Sequence, residues 1–160
     1  MTELPRTPAD LAAFIATESI AATILPVTAD TPTVPEAAAA LGVSEGQIIK
    51  TLLFVVKDAP VVAIASGDTL VDRRPIAARF GVGRKQVKLA DAGTVLAVIG
   101  YAVGGVPPFG HTVRCPVLLD EKMRRWDVVY GGGGDDRTLL AVAPAELQRV
   151  TGGDWVGLQA

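Results

Sequence analysis

The chain has 160 residues but only one cysteine, Cys115, and one histidine, His111. A single thiol cannot close an internal disulfide, so the cysteine content gives no sign of an oxidising compartment. One Cys and one His also exclude a zinc site of the Cys/His type. No apolar run approaches the roughly 18 residues a membrane helix needs. The opening Met1-Thr2-Glu3-Leu4-Pro5-Arg6 lacks the basic start and apolar stretch of a secretory leader. A cytoplasmic protein that enters no membrane is therefore expected. The phosphate-loop patterns Gly-x-x-x-x-Gly-Lys-Ser/Thr and Gly-x-Gly-x-x-Gly are missing. A serine-hydrolase triad is not expected either, so any hydrolysis must draw its nucleophile from water or from the substrate.

Apolar residues make up 49% of the chain and charged ones 20%, which is globular rather than disordered composition. The length predicts one domain, spanning residues 1–160. The net charge of −2 argues against bulk nucleic-acid binding. The charge is uneven, however. Residues 73–88 contain Arg73, Arg74, Arg79, Arg84, Lys85 and Lys88 and no acidic residue. Such a cluster can meet phosphates, or it can be the solvated face of a helix and its loop.

Helix and strand signals alternate along the chain. Thr7-Pro8 opens a helix carrying Leu11, Phe14 and Ile15, and Thr33-Val34-Pro35-Glu36 opens another that Gly42 ends. Residues 48–56 read as a strand, Lys57-Asp58-Ala59-Pro60 as a turn and Val61–Ala65 as the hairpin partner. Asp72 and Asp91 cap helices that stop at Gly81 and Gly100. Val113–Leu119 reads as a strand interrupted by Pro116. Val128–Tyr130 and Leu139–Val142 pair around Gly131–Asp136, with the glycine run as a flexible tip. Pro144 starts a last short helix. The sum is an α/β protein of the mixed α+β kind with hairpins, not a doubly wound sheet.

Two segments carry chemistry. Strand alternation places Ile48, Lys50, Leu52, Phe54 and Val56 on one face, with Lys50 its only polar member. A lysine in so apolar a strand is costly unless an anion or a carbonyl meets its ammonium. It either snorkels to water or is a cation held at a pocket rim. The second segment is Gly100-Tyr101-Ala102-Val103-Gly104-Gly105-Val106-Pro107-Pro108-Phe109-Gly110-His111. Its glycines allow close backbone approach, and its prolines stiffen the loop and remove donors. The N–H groups of Gly104, Gly105 and Val106 are thereby left for a ligand oxygen. His111 reads as a structural hydrogen-bonding residue more readily than as a catalyst, and Cys115 as a buried strand residue.

Ile49-Lys50-Thr51-Leu52, then Ser66-Gly67-Asp68 with Asp72 and its helix, then Gly100-Tyr101 and Gly104-x-x-x-Pro108-Phe109-Gly110 occur in an order and spacing that resembles the YbaK/ProX group. These are freestanding aminoacyl-tRNA deacylases related to the editing insertion domain of bacterial prolyl-tRNA synthetases. The resemblance covers roughly residues 20–155 and implies a mixed, partly barrel-like sheet wrapped by helices. It also implies hydrolysis of the ester joining a wrong amino acid to the tRNA 3′ end, without metal or other cofactor. In this reading Lys50 contacts the terminal adenosine or its phosphate and helps hold the ester. Gly100, Tyr101, Gly104, Gly105, Val106, Pro107, Pro108, Phe109 and His111 form the substrate loop. Asp136, or its neighbour Asp135, supplies the acidic residue that some members place late in the pocket. Arg73, Arg74, Arg84, Lys85 and Lys88 become candidates for tRNA backbone contact. The apolar Val106, Pro107 and Phe109 suit a small side chain such as that of alanine, cysteine, serine or threonine. The expected partners are tRNA and, beyond it, an aminoacyl-tRNA synthetase, with no role for DNA. Two other readings stay open: a non-catalytic tRNA- or synthetase-binding module, and a small-ester hydrolase that never meets tRNA.

Overall fold

The computed structural model describes residues 4–27 and 33–159. Met1–Glu3, part of the stretch read above for a leader, lie outside the described residues. The helices begin where the sequence caps them. In α1 (Pro8–Thr17), Thr7 accepts the Asp10 N–H while Asp10 accepts the Thr7 N–H at 2.8 Å, a reciprocal capping box. Thr33 caps α2 (Val34–Leu41), Asp72 caps α3 (Arg73–Phe80) and Asp91 caps α4 (Ala92–Ile99). The last helix, α5 (Pro144–Thr151), starts on its proline. Gly42, Gly81, Gly100 and Gly152 end the last four helices in the left-handed conformation.

Eight strands make two sheets: β1 (Ala22–Pro26), β2 (Ile49–Val56), β3 (Ala59–Ser66), β4 (Val87–Leu89), β5 (Val117–Asp120), β6 (Val129–Gly132), β7 (Thr138–Val142) and β8 (Asp154–Val156). The smaller sheet runs β1-β7-β6 and is antiparallel throughout. The larger runs β4-β2-β3-β5-β8 and is mixed, because β5 is parallel to both β3 and β8. The β2–β3 hairpin turns on Lys57 and Asp58, both at positive φ, as a two-residue hairpin with matching twist requires. A bridge between Ile48 and Tyr130 joins the sheets. The mixed α/β reading holds, but among the described residues the strands do not close into a barrel.

Three expectations change. The strand expected over 113–119 starts only at Val117, because Pro116 has no N–H for a ladder; its carbonyl instead accepts the Val62 N–H at 2.9 Å. The strand before the glycine run continues into it as far as Gly132. The glycine run is not a flexible tip: Gly134 donates to the Gly105 carbonyl at 2.9 Å, and a side chain at Gly132 would overlap the carbonyl of Val106.

The larger sheet has an apolar cluster on each face. Ile49, Leu53 and Ile64 pack with Val95, Ile99 and Leu119 on one side. Phe54, Val56 and Ala63 pack with Ile76 and Ala77 of α3 on the other, with Leu52 against them. Each fully buried Leu, Ile or Val contributes about 1.5–3 kcal/mol, so the β2–β3 hairpin, apolar on both faces, is the spine of the fold.

Candidate active site

A cavity of about 270 Å³ opens beside β2. Its walls come from Val34 and Ala37 of α2, the loop residues Val103, Gly104 and Val106, Gly131 and Gly132 of β6, and Leu89 and Ala90 at the end of β4. Ile48 to Leu53 line it as an unbroken run. One face of a strand would contribute alternate residues. An unbroken run means that β2 meets the cavity edge-on.

Lys50 is half-buried on the β2 face that carries Leu52 and Phe54, as the alternation predicts. Its ammonium donates to the carbonyl oxygen of Thr69 at 2.8 Å. That is the carbonyl a lysine on an apolar face requires. Thr69 is itself fixed from below. Its hydroxyl donates to Oδ2 of Asp120 at 2.6 Å, which also accepts the Ser66 N–H at 3.1 Å; the Lys122 N–H donates to Oδ1 at 3.0 Å. Asp120, Ser66 and Thr69 are all buried. Next to Thr69, Asp68 pairs with Arg125 at 2.8 Å and Lys122 at 3.4 Å, and the Arg125 guanidinium foremost holds its carboxyl below the usual range. The Ser66-Gly67-Asp68-Thr69 turn is thus clamped, and it hands one carbonyl to Lys50. Sequence reading missed Thr69 and Asp120 as site residues. The signal available was an acidic residue ending the apolar strand Val117-Leu118-Leu119.

The Gly100–His111 loop is divided by the fold. Val103, Gly104 and Val106 line the cavity, and among the described residues the N–H groups of Gly104 and Val106 have no partner. The Gly105 N–H, expected to be free, donates to Ala102 at 3.3 Å, and Gly105 lies against the backbone of Asp135. Gly100 closes α4 at φ 91°. Tyr101 is buried in the core, where its hydroxyl has no partner among the described residues and burial raises its pKa. Pro107 is buried outside the cavity wall, and Pro108, Phe109 and His111 face a second cavity of about 100 Å³. There His111 donates from Nε2 to the Pro107 carbonyl at 2.7 Å, and burial lowers its pKa. That bond ties together the two ends of the Pro107–His111 stretch. Cys115 is buried and burial raises its pKa. Asp135 and Asp136 are outside the cavity wall.

One stretch, Gly42-Val43-Ser44-Glu45-Gly46, matches the letters of a nucleophile elbow. Such an elbow needs strand, serine, helix. Here Ser44 follows α2, precedes the short 3₁₀ turn Glu45–Gln47, is exposed, and lies outside the cavity wall.

Five of the basic residues converge. Arg73, Arg74, Arg84, Lys85 and Lys88 surround a shallow, open depression with Leu70 and Val71. Asp72 shares it and pairs with Arg74 at 2.7 Å; Arg79 instead pairs with Asp154. Depression and cavity adjoin in the chain at two points: Thr69, which holds Lys50, precedes Leu70, and Lys88 precedes the cavity residue Leu89.

The described helices include none long and apolar enough to cross a membrane. Comparison with known proteins matches residues 28–150 to the aminoacyl-tRNA editing domain model. The uncharacterized protein YwhH of Bacillus subtilis is 31% identical over 116 residues, 72% of each chain. A proline–tRNA ligase of Desulfovibrio desulfuricans is 35% identical over 128 residues, which is 79% of this chain but only 21% of the ligase. The chain spans a similarly small part, 23%, of the matching ligases from two Thermoanaerobacter strains. Among solved structures, a candidate trans-editing enzyme for prolyl tRNA synthetase superposes with a TM-score of 0.89 at 30% identity, covering 99% of both chains. The hypothetical protein APE2540 gives 0.84 at 33%, covering 92% of this chain and 98% of that one. This chain belongs to the aminoacyl-tRNA editing domain family.

Proposed function

We propose that the protein is a trans-editing deacylase that removes a small, wrongly attached amino acid from the 3′ end of a tRNA. The observation that carries this reading is that neighbouring residues of the chain line the cavity and the basic depression: Lys88 beside Leu89, and Leu70 beside the Thr69 that holds Lys50. An aminoacylated 3′ end is a small acyl group on a polyanion, and it needs both in contact. The phosphates fall to Arg73, Arg74, Arg84, Lys85 and Lys88, the 3′-terminal nucleotide to Lys50, and the acyl group to the cavity wall at Gly104 and Val106.

In the reaction, a water oxygen bonds to the acyl carbon and the bond from that carbon to the ribose oxygen breaks. The ribose oxygen takes one of the water's protons and becomes a hydroxyl, the other proton passes to solvent, and the free amino acid leaves as its carboxylate. No nucleophilic side chain is assigned to the step. The protein supplies position and fixed dipoles instead: the Lys50 ammonium and the unpartnered N–H groups of Gly104 and Val106. Editing of this kind serves where binding alone cannot reject a near-isostere. The apolar walls, Val34, Ala37, Val103 and Val106, suit alanine, cysteine, serine or threonine, with tRNA for proline as the leading acceptor.

The test is a deacylation panel with Ala-, Cys-, Ser-, Thr- and Pro-charged tRNAs and Lys50→Ala as control. Selective loss of one mischarged species, with a large drop in rate in the control, is expected. An unchanged rate in Lys50→Ala removes the role given to Lys50. Retention of tRNA without cleavage of any species would favour a binding module, and equal rates on free amino-acid esters a small-ester hydrolase.

A further inference from the structure

Between its bridge to β6 and its ladder with β4, the edge of β2 inside the cavity forms no bridge among the described residues. Three hydrogen bonds fix which way each residue of β2 turns. Gly67 donates to the Ile48 carbonyl at 2.6 Å, so even-numbered residues face β3. Ala90 donates to the Leu53 carbonyl at 2.9 Å and Lys57 to Gln86 at 3.0 Å, so odd-numbered residues face the opposite edge. β4 covers that edge only along Phe54–Val56, and β6 bridges it only at Ile48. Thr51 lies between them. Its N–H and C=O both point toward that edge, and neither β4 nor β6 forms a bridge to it there among the described residues.

We propose that the main chain of Thr51 binds the aminoacyl group of the substrate as a one-residue added strand. This rests on the deacylase reading and says how that site recognises its acyl group. Two facing residues of an antiparallel ladder exchange both bonds. An amino-acid ester is the smallest molecule able to do the same: its α-ammonium donates to the Thr51 carbonyl and its ester carbonyl accepts the Thr51 N–H. Facing residues also point their side chains to the same side of the sheet. For Thr51 that is the side of Ile49 and Leu53, which pack with Val95 and Val106. An L-amino acid held this way directs its side chain at Val95 and Val106; a D-amino acid directs it away. Recognition by main chain explains how the site accepts the constant part of an amino acid with no acidic side chain in the wall among the described residues.

The probe is an amide-linked, non-hydrolysable alanyl analogue of the tRNA 3′ end, compared with its α-hydroxy and D-alanyl counterparts on the wild-type protein. Loss of a bond to the charged amine is expected to weaken the hydroxy analogue about 10- to 100-fold, and the D-isomer is expected to bind more weakly than the L. Thr51→Pro removes the N–H without touching the β2–β3 ladder, since proline is tolerated at an edge. It is expected to weaken the L-alanyl analogue about tenfold or more, while Thr51→Ala stays within about twofold. Equal affinity of the amine and hydroxy analogues, or wild-type binding by Thr51→Pro, overturns the inference even if charged tRNA is cleaved. Preference for the amine and the L-isomer in a protein that cleaves no charged tRNA upholds it and overturns the deacylase reading. Should Thr51→Pro fail to fold, the three analogues on the wild-type protein decide.

Discussion

The hydroxyl of Thr69 hangs from the buried carboxylate of Asp120 at 2.6 Å, and the carbonyl of the same threonine holds the Lys50 ammonium at 2.8 Å. The position of the cation at the cavity therefore depends on a residue that lies under it, in the core. Asp120 does not touch Lys50 in this chain of contacts; it sets the turn from which Lys50 is held.

Thr69→Val tests that dependence. The isosteric change leaves Asp120 short of one donor in the core, which costs about 1–3 kcal/mol. Thr69→Ser keeps the hydroxyl and gives up one methyl group, about 1 kcal/mol. Deacylation and the rate of Lys50 modification by an amine reagent should both change in Thr69→Val and return in Thr69→Ser, measured well below either melting temperature. A Thr69→Val protein that melts earlier but keeps wild-type Lys50 reactivity and turnover would make the network purely structural.

Close backbone approach gives the second prediction. A Cβ at Gly105 would lie 2.5 Å from the backbone of Asp135, and one at Gly132 would overlap the Val106 carbonyl. Gly105 is buried rather than in the cavity wall, so Gly105→Ala acts by displacing the loop, not by filling the cavity. Gly105→Ala and Gly132→Ala should each cost about 1–3 kcal/mol in denaturant melts and lower kcat/KM. Gly83→Ala is the control. Gly83 has nothing within 4 Å of an added Cβ and sits at φ −79°, so the change should leave activity intact and add about 0.4–1 kcal/mol. Wild-type stability in Gly132→Ala would show that the two loops do not touch.

Capped helices and the long β2–β3 hairpin were legible because their signals are local: Thr7, Asp72 and Asp91 as caps, glycine at the ends, and an apolar run wide enough for two buried faces. β1, β4 and β8 were not. Each has five residues or fewer, and β1 ends in a proline, so each exists only because a neighbour offers a ladder. The same divide runs through the site. The parity of β2 placed Lys50 on the correct face. The acceptor that meets it, the Thr69 carbonyl, has no letter of its own. The Gly100–His111 loop read as one binding surface. The fold splits it, because Gly104 and Val106 face one cavity and His111 the other.

The basic depression makes a prediction about salt. Replacing Arg84, Lys85 and Lys88 with Ala should weaken tRNA binding. It should also flatten the plot of log affinity against log salt by about 0.7–0.9 for each phosphate that the variant no longer neutralises. Hydrolysis of an amino-acid ester too short to reach the depression should be unchanged. Arg79→Ala, whose guanidinium is engaged by Asp154, should leave the slope as it is. An unaltered slope in the triple variant would move the tRNA-binding surface elsewhere.

His111 makes a prediction about pH. Burial, with the charge of Arg6 adding to it, lowers its pKa in the folded protein below the ordinary value near 6.5. At neutral pH both folded and unfolded chains carry a neutral imidazole, and His111 contributes no pH dependence. Below about pH 6.5 the unfolded chain takes up a proton that the folded chain resists, so the unfolded state is favoured and stability falls until the folded pKa is passed. His111→Gln keeps a side-chain N–H for the Pro107 carbonyl and cannot titrate. Its denaturant midpoint should therefore fall less than that of the wild type between about pH 7.5 and pH 5, with the difference opening below about 6.5. The comparison removes the carboxylates, which titrate alike in both proteins. Parallel curves would mean that His111 is as free to protonate in the folded loop as in the unfolded chain. The hydrogen bond to the Pro107 carbonyl, which favours the charged ring, would then offset the burial in full.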